Sequence, residues 1–401
     1  MIEGAYIVTL DERGTVIPEG YILIEDGRIL EVGAGSPRAL QGSGASFLEG
    51  ISGCGCEGPG GPSRRGDASG PQKAEKLGGT EKAGEAEEVG RAGKAGFKKG
   101  VDRVIRGRNM LVMPGLVNAH THSYANLVKG TTENLPLEPW MLYISIFGAN
   151  MTPEDVYLSA MLGCIEMIRT GTTCFVDHIA QDIPRIEQAV RAYVDAGVRA
   201  FIAPMISDKK YYESLPYDLE PPPPDLKAEM DARPARTTAE AASLNEEAIR
   251  RWNGLEGRIN VMVGPSGPQR CSDRLLEMCG ELAERYDVGL HTHLLETKTQ
   301  FVTAEHFYRK SMVRHLDELG LLLKRTSLAH SVWITHEDME ILAKRGATIV
   351  HNASSNLSLG SGVAPVVDAR RAGVNVALGT DGPNCGANQS MFESMKLAAM
   401  L

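Results

Sequence analysis

The chain is poor in aromatic residues, and it has neither an excess of positive charge nor a long apolar run. Aromatic side chains make up 5% of its 401 residues, and 42 basic residues against 51 acidic ones give a formal net charge of −9. A general nucleic-acid-binding role is disfavoured, because phosphate binding needs a basic surface. No apolar run reaches membrane-spanning length, and the first residues lack the basic start and apolar core of a secretion signal. The sequence therefore predicts a cytoplasmic protein with no membrane or nucleic-acid partner.

A disulfide framework is not predicted either. The seven cysteines are odd in number and scattered along the chain, which is typical of reduced thiols. Cys54 and Cys56 form a Cys-Gly-Cys pair, but no second pair accompanies them. A cysteine metal site is therefore disfavoured.

Glycine is unevenly distributed and divides the chain into parts. From 41 to 100, 17 of 60 residues are glycine and few are large and apolar. We expect a disordered insertion there, because such a stretch buries too little surface to offset its conformational entropy. Short strand-like runs in 1–40 and 101–113 predict part of a small β-sandwich.

The remaining residues, 114–401, alternate short β-branched runs with amphipathic helices, and this alternation favours a parallel β/α architecture. Eight strands are predicted, at 116–119, 172–176, 198–203, 259–263, 288–293, 326–329, 347–350 and 374–378. A helix start signal follows the first strand, where Thr152 precedes Pro153 and two acidic residues. In a parallel barrel the active site lies at the C-terminal ends of the strands.

Polar side chains stand at those strand ends. His120 and His122 close the first strand, and their i, i+2 spacing on one strand face allows both rings to bind one metal ion. His293 ends the fifth strand, His330 the sixth and Asp381 the eighth. Together they predict a metal centre.

The types of residue in this cluster indicate a hydrolytic metal site. His120, His122, His293 and Asp381 can supply the nitrogen and oxygen ligands of one divalent ion, zinc first and ferrous iron as the alternative, with a position left for water. Glu296 is placed to move a proton between that water and a leaving amine. His330 could hydrogen-bond the attacking water or the tetrahedral centre, and Asp381 could act as both ligand and base.

Seven of the ten histidines fall at or beside predicted strand ends: His120, His122, His178, His291, His293, His330 and His351. His291 is expected to support the ligands from behind. His178 is a candidate substrate contact, with polar filling of the barrel as the alternative, and Ser266 and Trp140 are two further candidate substrate contacts. The remaining three, His306, His315 and His336, are expected at the surface of helices.

From 101 to 401 the sequence resembles the amidohydrolase superfamily, in the branch of mononuclear aminohydrolases that includes methylthioadenosine/S-adenosylhomocysteine deaminases and triazine chlorohydrolases. The matching motifs are PGLVNAHTH at 114–122, HLLE at 293–296, AH at 329–330, SNLSLGSG at 355–362 and LGTDG at 378–382. The resemblance implies an α/β fold, a (β/α)8 TIM barrel with a β-sandwich that is incomplete here. It also implies the same four ligands, Glu296 as the proton shuttle and His330 as the strand-six histidine.

The implied reaction is hydrolytic release of ammonia, another amine or chloride from a small nitrogen heterocycle, most simply by a deaminase. Ser266 stands where nucleoside-handling relatives usually carry a histidine, which argues against adenosine-type substrates. The insertion at 41–100 is foreign to the family pattern. Relatives continue past the strand-eight helix, and the sequence leaves open whether the chain is a fragment.

Three alternatives stay open beside a deaminase. A triazine-type chlorohydrolase would use the same site. A binuclear cyclic-amide hydrolase would need a strand-four lysine, and none occurs between Leu255 and Leu290. An inactive scaffold would show broken ligands, and all four are present. A homo-oligomer is compatible with the sequence.

Overall fold

The computed structural model describes residues 1–35, 37, 101–132, 134–216, 223–232, 235–386 and 388–401. The predicted insertion at 41–100, with Cys54 and Cys56, lies outside the described residues. The chain divides into two compact units, Met1–Pro114 and Gly115–Leu401.

The first unit contains one five-stranded sheet over its described residues. Its strands are β1 (Ile2–Val8), β2 (Val16–Glu25), β3 (Arg28–Ala34), β4 (Ile105–Arg106) and β5 (Leu111–Val112). β1, β2 and β3 pair antiparallel, and the two short strands pair parallel with β1. Ala5, Ile7 and Ile22 form a small apolar core on one face of this sheet.

The second unit is built on parallel strands. They are β6 (Leu116–Thr121), β7 (Thr172–Ile179), β8 (Arg199–Ile206), β9 (Ile259–Val261), β10 (Gly264–Pro265), β11 (Leu290–Leu294), β12 (Thr326–His330), β13 (Thr348–His351) and β14 (Asn375–Leu378). One sheet runs from β6 through β7 and β8 to β9 and β10, and a second runs from β11 to β14 in order. Isolated parallel bridges join Val263 with Leu290 and Thr121 with Asp381.

Helices alternate with these strands, as the sequence predicts. They are α1 (Leu137–Asn150), α2 (Pro153–Arg169), α3 (Ile183–Ala196), α4 (Pro224–Asp231), α5 (Thr238–Trp252), α6 (Asp273–Arg285), α7 (Lys298–Tyr308), α8 (Met312–Glu318), α9 (His336–Arg345), α10 (Ala353–Ser358), α11 (Val366–Arg371), α12 (Pro383–Gly386) and α13 (Met391–Met400). The predicted start of α2 is confirmed: Thr152 and Asp155 form a reciprocal capping box ahead of Pro153. The mixed α/β architecture is thus confirmed, with a parallel strand at each predicted position.

Two details differ from the sequence prediction. The fourth predicted strand is split into β9 and β10. At Gly264, the first residue of β10, the backbone passes close to β8: a Cβ there would lie 2.5 Å from the Pro204 carbonyl oxygen, so only glycine allows this approach. His315 is buried rather than at the surface, because its ring stacks on Tyr308 at 3.9 Å between centroids and its Nε2 lies 2.9 Å from Asp273. None of the described helices is long and apolar enough to cross a bilayer.

Close packing at the junction of β14 and β6 generates a first prediction. A Cβ on Gly379 would lie 2.4 Å from Asn352 Oδ1 and 2.9 Å from His120 Cβ. Gly379→Ala should therefore lower the free energy of unfolding by about 1–3 kcal/mol, the usual cost of overpacking. Gly148→Ala is the matched control, since its Cβ would meet only ordinary contacts at 3.8 and 3.9 Å inside helix α1. Thermal unfolding of both variants tests this, and equal melting temperatures would contradict it.

Candidate metal centre and substrate cavity

The strand ends bring the four predicted ligands together. His120 and His122 approach the same oxygen, Oδ1 of Asp381, at 3.3 and 3.2 Å from their Nε2 atoms. Nε2 of His293 lies 3.4 Å from Nε2 of His122. All four side chains belong to the second unit and all come from the ends of β6, β11 and β14.

Carbonyl oxygens fix the orientation of two of these rings. Nδ1 of His122 donates to the carbonyl oxygen of His178 at 2.6 Å, and Nδ1 of His293 donates to that of Ser266 at 2.6 Å. A carbonyl only accepts, so each Nδ1 carries a proton, and in the neutral ring Nε2 then presents a lone pair. The lone pairs of both rings therefore point toward each other.

His120 is held by a second polar chain. Its Nδ1 lies 2.7 Å from Nε2 of His291, whose Nδ1 lies 2.7 Å from Oγ of Ser327. This arrangement is the outer hydrogen bonding that orients ligand histidines in metalloproteins. The 2.7 Å separation is that of a hydrogen bond between the two ring nitrogens, and it accounts for this pair without an ion.

The burial and charge of the cluster favour a cation at its centre. Nε2 of His120 is buried and has no hydrogen-bond partner. Burial lowers the pKa of His120 to about 4 and that of His293 well below its usual value. Burial also acts against protonation of His122, but the Asp381 carboxylate and the His178 carbonyl outweigh it and raise the pKa of His122. Three imidazole nitrogens and one carboxylate oxygen are a donor set that suits zinc or ferrous iron.

Glu296 and His330 flank this cluster. Nε2 of His330 lies 3.6 Å from Oε2 of Glu296 and 3.8 Å from Oδ2 of Asp381. The other carboxylate oxygen of Glu296, Oε1, is buried with no hydrogen-bond partner. Burial, reinforced by the charges of Asp381 and Glu138, raises the pKa of Glu296 well above its usual value. Such a carboxyl can hold a proton near neutral pH.

Two of these residues occupy left-handed backbone conformations. His330 has a φ of +73° and Asp381 a φ of +63°, although neither is glycine. Conformations of this kind cost free energy and persist where the surroundings enforce them. Here Nδ1 of His330 lies 2.8 Å from Oδ1 of Asn356, and the Asp381 amide donates to the His120 carbonyl at 2.9 Å.

A cavity of about 450 Å³ opens above the cluster. His122, His293, His330, Glu296 and Asp381 line its floor. The candidate contacts Ser266 and Trp140 also line it, so the structure brings both to the site. Sequence reasoning missed Glu138, Tyr211 and Arg270, which line the same cavity. Glu138 belongs to helix α1, and the other two belong to short 3-10 turns that carry no periodic signal.

The structure places the third candidate contact, His178, elsewhere. Its side chain is buried behind the cavity, with its ring 4.7 Å from that of His293. It is absent from the cavity lining among the described residues, and its carbonyl instead orients His122. Alternation along a strand gives the direction of a side chain but not its depth in the barrel, which is why the sequence left both a substrate contact and polar filling of the barrel open for His178.

Asp177, the neighbour of His178 on β7, anchors the chain just after His122. Its carboxylate accepts hydrogen bonds from the Ser123 amide at 2.8 Å, the Ser123 hydroxyl at 2.7 Å and the Tyr193 hydroxyl at 2.5 Å. All three groups are buried. This network fixes the turn that aims His122 at Asp381.

With this geometry in hand, comparison with known proteins gives the family. The sequence model of the amidohydrolase family matches residues 111–401, so the chain belongs to that family. A 5'-deoxyadenosine deaminase of Methanosarcina barkeri is 37% identical over 302 residues, 75% of this chain and 64% of the relative. A 5-methylthioadenosine/S-adenosylhomocysteine deaminase of Desulforamulus reducens is 35% identical over 404 residues, 100% of this chain and 73% of the relative.

Solved structures share the fold. A zinc-bound adenosine deaminase from Xanthomonas campestris aligns with a TM-score of 0.74 at 24% identity, covering 100% of this chain and 72% of that one. A zinc complex of an atrazine chlorohydrolase from Arthrobacter aurescens aligns with a TM-score of 0.75 at 21% identity, covering 100% and 75%. The resemblance read from the sequence is thereby confirmed at the level of family and fold.

The Asp177 network generates the second prediction. Asp177→Asn replaces an acceptor with an amide whose NH2 group faces donors, so the free energy of unfolding should fall by about 2–3 kcal/mol. Asp195→Asn is the matched control, because Asp195 lies on the exposed side of α3, where it accepts from the Tyr157 hydroxyl at 2.9 Å and forms an exposed ion pair with Arg191 at 3.8 Å. That control should change stability by no more than about 0.5 kcal/mol. Chemical denaturation measures both, and a neutral Asp177→Asn would refute the anchoring role.

Proposed function

We propose that this chain is a metal-dependent deaminase that acts on a small nitrogen heterocycle. The observation that carries the proposal is the convergence of three imidazole Nε2 atoms and the Asp381 carboxylate on one point of the cavity floor. His120, His122, His293 and Asp381 would hold one ion, zinc first and ferrous iron as the alternative. The zinc-bound structural neighbours support this choice of metal.

A divalent ion held there supplies Lewis acidity, which makes water a nucleophile at neutral pH. Glu296 would take the proton from that water at Oε1, the oxygen that no protein group satisfies, and pass it to the departing amine. Nδ1 of His330 donates to Asn356, so its Nε2 faces the two carboxylates and would orient the attacking water. Asp381 would combine the roles of ligand and base.

The substrate class follows from the relatives and from the cavity. Both sequence relatives described above carry the names of deaminases of adenosine derivatives. The cavity volume of about 450 Å³ is in the usual range for a small ligand. Release of ammonia from an aminated ring is therefore the activity we propose, although Ser266 replaces the histidine of nucleoside-handling relatives.

The alternatives have less support. Chloride release would use the same residues, and the atrazine chlorohydrolase is similar in fold only. A binuclear site lacks its bridging lysine, and the second histidine group, His120 with His178 and His291, already contains a 2.7 Å contact between ring nitrogens. An inactive scaffold is disfavoured because the described ligands are intact.

We also infer that the parallel strands close into a barrel and that the first unit is part of a β-sandwich. The Val263–Leu290 and Thr121–Asp381 bridges support closure of the eight strand positions into a (β/α)8 barrel over 114–401. The sheet formed by 1–40 and 101–113 would be part of a β-sandwich. A cytoplasmic location, assembly into a homo-oligomer and disorder in 41–100 stay predictions from the sequence.

The metal assignment generates the third prediction. Protein purified without chelator should contain about one zinc or iron per chain, and His293→Ala should lose most of it, because one ligand of four is removed. His336→Ala is the matched control, since that imidazole lies at the exposed start of α9. Elemental analysis is the measurement. Two tightly held ions per chain, or full occupancy in His293→Ala, would disprove the mononuclear site.

The proton shuttle generates the fourth prediction. Glu296→Gln should keep the metal and reduce ammonia release by on the order of 100-fold or more, the usual contribution of a general acid or base. Ammonia release and metal content are measured on the same preparation. Loss of the ion in Glu296→Gln would instead make Glu296 a ligand.

A further inference from the structure

Arg270 is a cationic side chain in the cavity wall for which the described part of the protein supplies no acceptor. It ends the short 3-10 turn Pro268–Arg270 that follows β10. Its Nε is buried and makes no hydrogen bond. Among the described residues no carboxylate lies within 4.0 Å of its guanidinium, and no acceptor receives a hydrogen bond from it.

The surroundings hold Arg270 in place without neutralising it. Its amide donates to the Gly267 carbonyl at 3.0 Å, and its carbonyl accepts from the Lys209 amide at 3.3 Å. The guanidinium carbon lies 5.6 Å from the centre of the Tyr211 ring. The Tyr211 hydroxyl in turn donates to the Glu138 carbonyl at 2.7 Å, which fixes the ring.

Three of the four acids that line the cavity are engaged elsewhere, and the fourth, Glu296, faces His330. Asp182 forms an ion pair with Arg185 at 2.9 Å, and Glu138 accepts from the Thr297 hydroxyl at 2.6 Å. Asp381 faces the histidines. An arginine stays protonated in proteins, and a half-buried cation without a partner costs free energy. An acceptor brought by a ligand would remove that cost.

A second unsatisfied group lies beside Arg270 in the same turn. Oε1 of Gln269 is buried and has no hydrogen-bond partner, and Gln269 also lines the cavity. Two neighbouring polar side chains with unused hydrogen-bonding atoms, facing the cavity that holds Glu296 and Asp381, indicate a polar subsite for the ligand rather than a structural contact.

We propose that Arg270 binds an oxygen acceptor on the substrate, either a ring carbonyl or a carboxylate, and so selects aminated heterocycles that carry such an oxygen. This inference rests on the proposed deaminase function and narrows its substrate class. A guanidinium offers several donors in a planar fork, which suits both kinds of oxygen. Charge-assisted hydrogen bonds of this type correspond to about 10- to 100-fold in affinity.

Matched compounds test the preference with the metal-loaded protein. 4-Aminopyrimidine is the parent, cytosine adds a ring carbonyl, and 4-aminopyrimidine-5-carboxylate adds a carboxylate; adenine and isoguanine form the corresponding purine pair. Ammonia release gives kcat/KM for each. Calorimetric binding to Glu296→Gln gives a second readout that does not depend on turnover.

The variants are Arg270→Met, Arg270→Lys and the matched control Arg274→Met. Arg274 lies on the exposed face of α6 beside Glu277, outside the cavity lining among the described residues. Arg270→Met should weaken binding and kcat/KM for an oxygen-bearing compound by about 10- to 100-fold and change the parent compounds less than about threefold. Arg270→Lys should retain part of the preference, and Arg274→Met all of it.

The thermal stability of the ligand-free variants separates recognition from a structural role. Arg270→Met should not lower the melting temperature, because it removes an unpaired charge. A lowered melting temperature together with an equal loss on all compounds would overturn the proposal. So would oxygen-bearing and parent compounds that bind alike, or a panel in which none binds.

Failure of the deaminase proposal has a different signature. If no compound releases ammonia, the protein does not deaminate any compound of this panel. Calorimetric binding would still decide the role of Arg270. Binding of an oxygen-bearing compound that Arg270→Met abolishes and Arg274→Met preserves would support the inference even then.

Discussion

The candidate metal centre of the second unit holds three imidazole nitrogens and a carboxylate close together in a buried position. Nε2 of His120 and His122 both approach Oδ1 of Asp381, while Nε2 of His293 lies 3.4 Å from that of His122. Without a cation these atoms repel one another, and burial removes the water that would screen them. The free energy to hold them must come from elsewhere in the fold, and a bound ion converts the repulsion into attraction.

The strand network provides that constraint. Parallel pairing sets His293 opposite Ala329 and Leu294 opposite His330, so the fifth and sixth strand ends reach the same level. The Thr121–Asp381 bridge does the same for the first and eighth. Carbonyl groups of the adjacent strand ends then fix the ring orientations of His122 and His293. The pairing of the strands therefore also determines the geometry of the site.

The strand positions and the candidate ligands could be predicted from the sequence, because β-branched runs indicate the strands and the ligands follow where those runs end. The same reasoning could not predict how deeply a given side chain is buried. His178 shares the strand-end position of the ligands yet lies behind His293, and His315 sits on a helix yet is buried against Tyr308. Arg270 ends a three-residue turn and Asn356 lies in the six-residue helix α10, and elements this short carry no periodicity that shows which side chains face the site.

The most direct test of the central claim is X-ray absorption at the metal edge of the zinc-loaded protein. We expect nitrogen and oxygen neighbours at about 2.0–2.1 Å with the scattering signature of three imidazoles, and no sulfur. Cys385 lines the same cavity and offers the nearest alternative ligand type. A sulfur neighbour at about 2.3 Å, or fewer than three imidazoles, would contradict the account.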